Sequence, residues 1–544
     1  MVVSAEPVAG YHSIVDGLPT VIESRETSLP PAVDDDVGVY ALRPENALPR
    51  RIAHWAEIDH DRPFLQEVNG RHATYGQLWS QARRCASLLR GLGVRRGDRI
   101  VTMLPASIDA YALWLGAGCI GALEVPVNPD LRGSFLDHAL ADPGASLCFV
   151  RPEFAAVPGC SAVAGLSVIE VPRDGSLTGG VAEAELGDLP LPADPSCVIY
   201  TSGTTGPSKG VIVSWAQMAA TVGRIPRSWL GPTDAGYACH PIFHITGRSP
   251  LPVMAECGGR IVIREKLSVG EFWNDVRTHG CTTTTVLAGL MLAAPERPND
   301  LENPLRFGLL SGGRAAAVRF GERFGVHMIE CYGSTEVGFP IVQRELTLDN
   351  TACGRLRRGY RARVITDEGQ PAAVGASGEL WIHSPAAPLI TLGYLNQPES
   401  TAKAIVDGWY RTGDRVARVD HEMFQFVDRM RDTIRRLGEN ISSVALEAVV
   451  QSDEEVAECA AIGVPDEATG QMVLVAVVAN EGAPPIDPEA LHHRLQQVLP
   501  KYMVPSIIAV CDSLPKTPTG KCRKAGLVDE LDLESAWHAP TRPR

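Results

Sequence analysis

The stretch IYTSGTTGPSKGV at residues 199–211 constrains the fold more than any other part of the chain. Short apolar runs at 197–200 and 211–213 flank glycines and hydroxyl residues, a pattern that predicts a strand, a loop and a second strand. Backbone N–H groups left open by glycine, hydroxyl donors and one lysine are the groups that bind a polyphosphate. We therefore interpret the stretch as a phosphate-binding loop rather than as a flexible surface loop. The residues assigned to this loop are Thr201, Ser202, Gly203, Thr204, Thr205, Gly206 and Lys209.

The loop differs from a Walker A motif, in which a glycine is followed by four residues and then by Gly-Lys and a hydroxyl residue. Here Lys209 is followed by Gly210. The stretch instead resembles the phosphate-binding signature of the adenylate-forming superfamily. That superfamily includes acyl-CoA synthetases, luciferases and the adenylation domains of nonribosomal peptide synthetases, and its members carry further motifs that the rest of this chain must supply.

Composition limits the class of protein. The length of 544 residues exceeds what one core supports and indicates two or more domains. A net charge of −14 argues against a nucleic-acid partner, which would require a basic patch. The 13 cysteines are scattered without a Cys-x-x-Cys pair, as in a reduced intracellular protein. Because the first residues lack a signal-peptide pattern and no apolar run approaches the roughly 20 residues of a membrane span, we predict a cytoplasmic protein without stable membrane insertion.

The order of periodic segments predicts the fold class. Residues 1–45 combine scattered prolines, glycines and acidic residues without periodicity, and we expect a poorly ordered tail there. Beyond it, helical spacing such as Leu78, Ala82 and Cys85 alternates with apolar runs such as 99–104. This alternation predicts an α/β fold of layered sheets and helices.

Residues 238–247 read ACHPIFHITG and contain two histidines four positions apart. On a helix that spacing would suggest metal ligands, but Pro241 lies between His240 and His244 and no third ligand is near. We predict a strand end and loop that present Phe243 and His244 to a cavity. In adenylate-forming enzymes a similar aromatic–histidine pair lines the acyl pocket, which implies that His244 acts at the acid substrate. Amino-acid-activating members tend to have an aspartate there, so His244 disfavours an α-amino acid.

Two motifs follow, LLSGGR at 309–314 and ECYGSTEVG at 330–338. A strand that runs into a Gly-Gly turn suits the close approach of a flat ligand. Both motifs resemble those of the superfamily, in which they bind adenine, the α-phosphate and Mg²⁺. Arg314 stands where the family often has alanine, and it either changes the pocket wall or points to solvent. The resemblance implies adenine contacts for Gly312, Gly313 and Tyr332, an α-phosphate contact for Thr335, Mg²⁺ binding by Glu336, and nucleotide-binding positions at Arg314, Glu330 and Gly333.

The sequence WYRTGD at 409–414 places a carboxylate after a glycine, which suits acceptance of two ribose hydroxyls, although turns often contain Gly-Asp. It is similar to the family's ribose-binding motif and implies that role for Asp414. Residues 426–441 resemble the superfamily's hinge, with Arg431 at the pivot where relatives usually have Asp or Lys. The resemblance also implies nucleotide binding by Phe426 and Arg429 and a thiol tunnel at Gly438. We therefore predict a large domain at 46–429 and a small C-terminal α+β domain at 430–544.

The basic loop LPKTPTGKCRK at 514–524 would ordinarily be a solvated turn. Its order of residues resembles the superfamily's final motif, and Lys521 matches the catalytic lysine. In the family the small domain rotates between two half-reactions, which implies that the C-terminal domain is mobile.

The combined motifs imply a fold and a reaction. The fold is α/β, with a large N-terminal domain that includes a β-rich subdomain and a small mobile C-terminal domain. The reaction is that of an acid–CoA ligase, which uses ATP and Mg²⁺ to convert a small carboxylic acid to acyl-AMP with release of pyrophosphate, and then transfers the acyl group to coenzyme A. The alternative acceptor is the phosphopantetheine thiol of a separate carrier protein. A luciferase-type oxygenase shares the first step, and a binding protein without activity would share the fold. The second of these is disfavoured because the key side chains are present, namely Lys209, Glu336, Asp414, Arg429 and Lys521.

Overall fold

The structure is a computed structural model. It describes residues 36–539 except for 130, 132, 156–162, 164, 202–207, 293, 311–313, 349–351, 386–387, 430–433, 437–438, 442, 467–469, 481, 500–502, 517–521 and 525.

The first part of the described chain alternates helices and strands, as the sequence predicts. Helix α3 begins at a capping box, in which the Thr74 side chain accepts the Gln77 N–H and the Gln77 side chain accepts the Thr74 N–H. Its apolar residues lie on one buried face, which is why a helix forms here. The elements are α1 (Val37–Leu42), α2 (Leu48–Ile58), β1 (Pro63–Glu67), β2 (His72–Thr74), α3 (Tyr75–Gly91), β3 (Arg99–Met103), α4 (Ile108–Cys119), β4 (Leu123–Pro126), α5 (Gly133–Ala141), β5 (Leu147–Val150), α6 (Pro152–Ala155) and β6 (Ser167–Glu170).

The end of the predicted tail is ordered, which corrects the expectation for residues 36–45. Asp36 caps α1 by accepting the N–H groups of Gly38 and Val39. Tyr40 is buried and donates a hydrogen bond of 2.6 Å to Glu256. The segment folds onto the body of the protein because its few apolar residues follow a capping aspartate at helical spacing. Residues 1–35 lie outside the described part of the chain.

The middle of the chain contributes the strands on which the site is built. Strands β3, β4, β5 and β6 are parallel neighbours, and β7 joins β4 and pairs antiparallel with β8 in the order β6-β5-β3-β4-β7-β8. The elements are β7 (Pro195–Thr201), β8 (Lys209–Ser214), α7 (Trp215–Ala219), β9 (Ala235–Ala238), α8 (Ile245–Arg248), α9 (Pro250–Cys257), β10 (Arg260–Ile263), α10 (Val269–Thr278), β11 (Thr283–Val286), α11 (Ala288–Leu292), β12 (Phe307–Leu310) and α12 (Arg314–Phe324).

A β-rich region follows and continues a second, larger sheet. This sheet has the order β16-β17-β19-β20-β15-β14-β13-β12-β11-β9-β10-β1-β2, with β18 paired to β19. Its β1 and β9–β13 strands pair parallel, whereas the strands from β13 to β20 pair antiparallel. The β-rich region is therefore joined to the α/β part by one hydrogen-bonded ladder. The elements are β13 (His327–Ser334), β14 (Gly338–Gln343), β15 (Gly354–Leu356), β16 (Arg361–Ile365), β17 (Ser377–His383), α13 (Pro398–Ala404), β18 (Ile405–Val406), β19 (Trp409–Arg418) and β20 (Met423–Arg429).

The last part of the chain forms a small α+β unit with its own core. Its main sheet has the order β23-β24-β25-β26, and β21 and β22 form a separate hairpin. Helix α15 begins at Asp487, whose side chain accepts the N–H groups of Glu489 and Ala490. The elements are β21 (Ile434–Arg436), β22 (Glu439–Ile441), α14 (Ser443–Val450), β23 (Val456–Asp466), β24 (Gly470–Ala479), α15 (Pro488–Val498), β25 (Ile507–Val510), α16 (Leu527–Glu530) and β26 (Trp537–His538).

The predicted α/β fold class, with a large sheet-rich part and a small C-terminal part, is confirmed. The cysteines of the described residues are all free thiols, and most of them are buried. No helix among the described residues is both long and apolar enough to cross a membrane.

Candidate active site

The predicted phosphate-binding loop is held between two antiparallel strands. Thr201 at the end of β7 pairs with Lys209 at the start of β8, so the two ends of the loop lie opposite each other. Residues 202–207 lie outside the described residues, and with them the calls on Ser202, Gly203, Thr204, Thr205 and Gly206. The predicted strand–loop–strand arrangement is confirmed for its two strands.

Tyr394 links the start of β8 to Glu336. The Nζ atom of Lys209 lies 5.0 Å from the centre of the Tyr394 ring, and the backbone of Tyr394 bridges to Val211. The Tyr394 hydroxyl lies 3.3 Å from Oε1 of Glu336 and 3.0 Å from the hydroxyl of Tyr410. Burial, and then the Glu336 charge, raise the pKa of Tyr394 to about 12, so its hydroxyl remains a donor to the carboxylate at neutral pH.

Backbone contacts fix the same junction. The Thr391 N–H donates to the Glu336 carbonyl at 2.6 Å, and the Ile212 N–H donates to the Gly393 carbonyl at 3.0 Å. The segment 391–394 therefore ties the strand of Lys209 to the residue predicted to hold Mg²⁺. A single carboxylate beside a bound polyphosphate is a donor set that suits Mg²⁺, and Glu336 fits that requirement.

The turn at residues 335–337 carries Thr335 and Glu336, and Gly333 stands just before it. A Cβ atom at Gly333 would lie 1.8 Å from the Gly338 carbonyl oxygen, so only glycine fits there. The register between β13 and β14 shifts at this point. The Thr335 carbonyl accepts a hydrogen bond of 2.5 Å from Nε2 of Gln217, a buried residue of α7. The tight turn thus presents Thr335 and Glu336 between the two strands.

Tyr332 and Asp414, predicted separately as adenine and ribose contacts, touch each other. The Tyr332 hydroxyl donates to Oδ2 of Asp414 at 2.7 Å. Burial, followed by the Asp414 charge, raises the pKa of Tyr332 well above its usual value. The Phe426 ring lies 6.3 Å from the Tyr332 ring. Asp414 lies inside β19 rather than in an open turn, and it pairs with Arg429 on β20.

Arg314 pairs with Glu330, which decides between the two alternatives for this position. Its Nε donates to Oε2 of Glu330 at 3.0 Å, and its terminal nitrogen contacts the same oxygen and the Ala352 carbonyl. Arg314 is largely buried, so it does not point to solvent. Burial raises the pKa of Glu330, and the hydrogen bond from Arg314 opposes that shift. The pair joins the start of α12 to β13.

His244 is the N-cap residue of α8, and its side chain makes no capping hydrogen bond to the helix. Its Nε2 is buried and has no hydrogen-bond partner among the described residues, and its ring lies 4.8 Å from the Phe243 ring. Burial, followed by repulsion from His240, lowers the pKa of His244 to about 4, so its ring is neutral at pH 7. His240 bonds instead to the Thr285 carbonyl at 3.1 Å. Within the described residues no group of three or more metal-binding side chains exists.

Several predicted residues lie outside the described part of the chain. Other residues of the candidate site were not predicted from the sequence. Tyr394 and Gln217 carry no motif that marks them, since an isolated aromatic or amide side chain gives no signal of what it contacts. For Arg429 the structure gives the backbone position in β20. The predicted residues outside the described part are Gly312, Gly313, Arg431, Gly438 and Lys521.

Comparisons with known proteins identify the family of this chain. The AMP-binding enzyme family matches residues 52–395, and the AMP-binding enzyme C-terminal domain matches residues 445–521. The chain therefore belongs to the AMP-binding enzyme family, and its relatives place it with the acyl-CoA ligases of that family. The predicted resemblance and the predicted enzyme class are confirmed.

Two curated relatives illustrate that class. The sulfoacetate–CoA ligase of Cupriavidus necator is 30% identical over 88% of this chain and 96% of its own length. The feruloyl-CoA synthase of an Amycolatopsis species is 31% identical over 84% of this chain and 93% of its own length.

Solved structures show the same fold. ATP-bound MatB from Rhodopseudomonas palustris superposes with a TM-score of 0.80 at 23% identity, over 89% of this chain and 98% of that one. The o-succinylbenzoate CoA synthetase of Bacillus subtilis, in complex with its acyl-adenylate intermediate, gives a TM-score of 0.79 at 22% identity, over 92% of this chain and 99% of that one.

Proposed function

We propose that this protein is an ATP-dependent ligase that activates a small carboxylic acid as acyl-AMP, releases pyrophosphate, and then transfers the acyl group to the thiol of coenzyme A with release of AMP. The observation that carries the proposal is the junction at Tyr394, where the strand of the phosphate loop meets Glu336. The Tyr332–Asp414 pair lies on the sheet whose β13–β14 turn carries Glu336. One nucleotide placed across these groups would have its phosphates near Lys209 and its nucleoside near Tyr332.

The first half-reaction is an attack of a carboxylate oxygen on the α-phosphorus, with departure of pyrophosphate. Its barrier comes mainly from bringing anions together and from charge that develops on phosphate oxygens. In our proposal Lys209 and the loop from Thr201 hold the β- and γ-phosphates, and Thr335 contacts the α-phosphate. Mg²⁺, when bound, would neutralise phosphate charge. Glu336 would hold that ion, with its carboxylate oriented by the hydroxyl of Tyr394.

The nucleoside end is held by separate groups. Tyr332 and the segment around Gly312 and Gly313 would enclose adenine, while Asp414 and Arg429 would bind ribose. The second oxygen of Asp414 is the natural acceptor for a ribose hydroxyl, because Oδ2 already accepts from Tyr332. The Arg314–Glu330 pair closes this end of the site.

The second half-reaction uses the small domain. We propose domains at 46–429 and 430–544 that rotate about Arg431, so that Lys521 serves adenylation and the strand near Gly438 serves thiol transfer. Lys521 would stabilise the charge that develops at the α-phosphate. His244 would face the acid. Its ring would be neutral there, because burial disfavours the protonated imidazolium.

The test is AMP release from ATP with a panel of acids, measured with and without coenzyme A. We expect continuous AMP and thioester formation only when ATP, Mg²⁺, acid and coenzyme A are all present. Adenylate that accumulates with an acid and does not react with coenzyme A would contradict the proposed acceptor and favour a carrier protein.

Lys521→Ala separates the two half-reactions. Loss of a preorganised charge should slow adenylation by about 100-fold or more, while preformed acyl-adenylate still reacts with coenzyme A. The matched control is Lys516→Ala in the same basic loop, since Lys516 pairs with Glu458 on β23. Equal losses in both half-reactions of the Lys521 variant would refute its role.

A further inference from the structure

Arg224 is a buried arginine close to the proposed site. It lies in the loop after α7, and only 3% of its surface is exposed. Its guanidinium carbon lies 4.3 Å from the centre of the Phe339 ring, and its Nε donates to the Thr221 carbonyl at 2.9 Å. This carbonyl is the one hydrogen-bond acceptor that its side chain has among the described residues.

Two other buried arginines of this protein pair with a buried carboxylate, whereas no described carboxylate pairs with Arg224. Arg151 pairs with the buried Asp109 at 3.2 Å, and Arg248 pairs with the buried Glu124 at 2.8 Å. No ion pair joins Arg224 to any carboxylate in the described residues, and its charged neighbour is Arg357. Burial lowers the pKa of Arg224 to about 10, so it still carries its charge at neutral pH. A buried charge without a counter-ion is costly, and proteins usually pair such groups.

Arg224 lies close to the turn at which, in the proposed reaction, the acid would meet the α-phosphate. Phe339 is the second residue of β14 and stands three positions after Glu336. Gln217 of α7 donates a hydrogen bond to the Thr335 carbonyl. Arg357 holds the loop of Arg224 against β14 by donating to the carbonyls of Ala220, Val222 and Phe339. The loop is therefore fixed beside the turn that carries Thr335 and Glu336. The Arg224 guanidinium is held there with two terminal nitrogens that bond to no described group.

We propose that Arg224 binds a second anionic group on the acid substrate, at the end remote from the carboxylate that is adenylated. This inference rests on the proposed function and narrows its substrate class to small acids with a second anion, such as a carboxylate or a sulfonate. The substrate's anion would supply the counter-ion that Arg224 does not find among the described residues. The enzyme would therefore prefer acids with a second anion, because an acid with an apolar end would leave the buried charge of Arg224 uncompensated.

The experiment compares acids of matched size with and without the second charge. Sulfoacetate, malonate and succinate form the dianionic set, and propionate, butyrate and valerate form the monoanionic set. The readout is kcat/KM for pyrophosphate release. For the wild type we expect the best dianionic acid to exceed the best monoanionic acid by about 100-fold, the order of effect found when one partner of a buried charge pair is removed.

Arg224→Met should remove that preference. We expect the dianionic acids to lose about 100-fold in kcat/KM while the monoanionic acids keep or gain activity. Arg224→Lys keeps a charge and should retain part of the preference. The matched control is Arg151→Met, which removes another buried arginine, one that pairs with Asp109 and does not contact the loop of Arg224; it should lower stability without changing the ratio between the two sets.

The possible results distinguish the role of Arg224 from the ligase activity on which it rests. A wild-type preference for monoanionic acids, or an Arg224→Met variant that loses both sets equally while remaining folded, would overturn the role of Arg224 and leave the ligase proposal standing. If the Met variant does not fold, an unchanged ratio in Arg224→Lys and Arg224→Gln overturns the role in the same way. Absence of acid-dependent pyrophosphate release with every acid would instead refute the ligase proposal.

Discussion

The hydroxyl of Tyr394 offers a direct measure of how Glu336 is held. Tyr394→Phe removes the contacts to Glu336 at 3.3 Å and to Tyr410 at 3.0 Å but keeps the ring beside Lys209. Hydrogen bonds to charged groups contribute about 1.5–3 kcal/mol, and the length of this one favours the lower value. A loss of about 1.5 kcal/mol corresponds to roughly tenfold in kcat/KM. We expect that loss to appear for MgATP, together with a requirement for more Mg²⁺.

Removing the ring as well should cost more. Tyr394→Leu also deletes the contact with the Lys209 ammonium group, and cation–π contacts contribute about 0.5–1 kcal/mol. The additional loss should therefore be about two- to fivefold. The assay is acid-dependent exchange of pyrophosphate into ATP, measured over a series of MgATP and free Mg²⁺ concentrations.

The control for Tyr394 is another tyrosine bonded to a carboxylate. Tyr237 donates to Asp275 at 2.7 Å between β9 and α10. Tyr237→Phe should lower the unfolding temperature without changing the Mg²⁺ requirement. The reasoning is refuted if Tyr394→Phe has the wild-type kcat/KM for MgATP, or if it and Tyr237→Phe shift the Mg²⁺ requirement equally.

Two further predictions concern His244 and Arg314. His244 has a pKa of about 4 in the folded protein, below the ordinary value of 6.5, so the unfolded chain binds a proton first as pH falls. The folded protein should therefore lose stability between about pH 6.5 and 4 and lose no more from this group below that range. The fall in unfolding temperature with pH should be shallower in His244→Gln than in the wild type or in the exposed control His54→Gln, and identical slopes would disprove the assignment. Arg314→Ala leaves the Glu330 carboxylate buried without its partner, which should cost about 1–3 kcal/mol of stability and raise the KM for ATP. Arg314→Lys should recover part of both effects; an alanine variant with unchanged unfolding temperature and KM would show that the pair does not matter.

The sequence predicts the elements of this fold better than it predicts the contacts between them. The strands around the phosphate loop and helix α3 follow from local patterns, because alternating and helical spacing reflect which face is buried. The helix α1 was missed because its few apolar residues follow a run without periodicity. Its cap at Asp36 was the one local signal.

The contacts within the candidate site are likewise harder to predict from the sequence than its individual residues. Tyr332 and Asp414 can be named from separate motifs, yet their hydrogen bond depends on the pairing of distant strands. Tyr394 and Gln217 act through contacts with residues far away in the chain, and no local pattern marks such contacts. Arg224 stands out only once the structure shows that it is buried and that no carboxylate of the described residues pairs with it. Arg314 was noticed in the sequence, but its partner Glu330 became evident only from the structure.

The burial of the cysteines has a consequence for the proposed reaction, in which the enzyme would hold an activated acyl group. Burial raises the pKa of eleven of the twelve free thiols in the described residues, including Cys331 and Cys353 near the nucleoside end. The thiolate is the form that attacks a mixed anhydride, and it is scarce at each of these positions at neutral pH. These eleven thiols would therefore compete poorly with an incoming thiol substrate, and the proposed reaction would seldom acylate them.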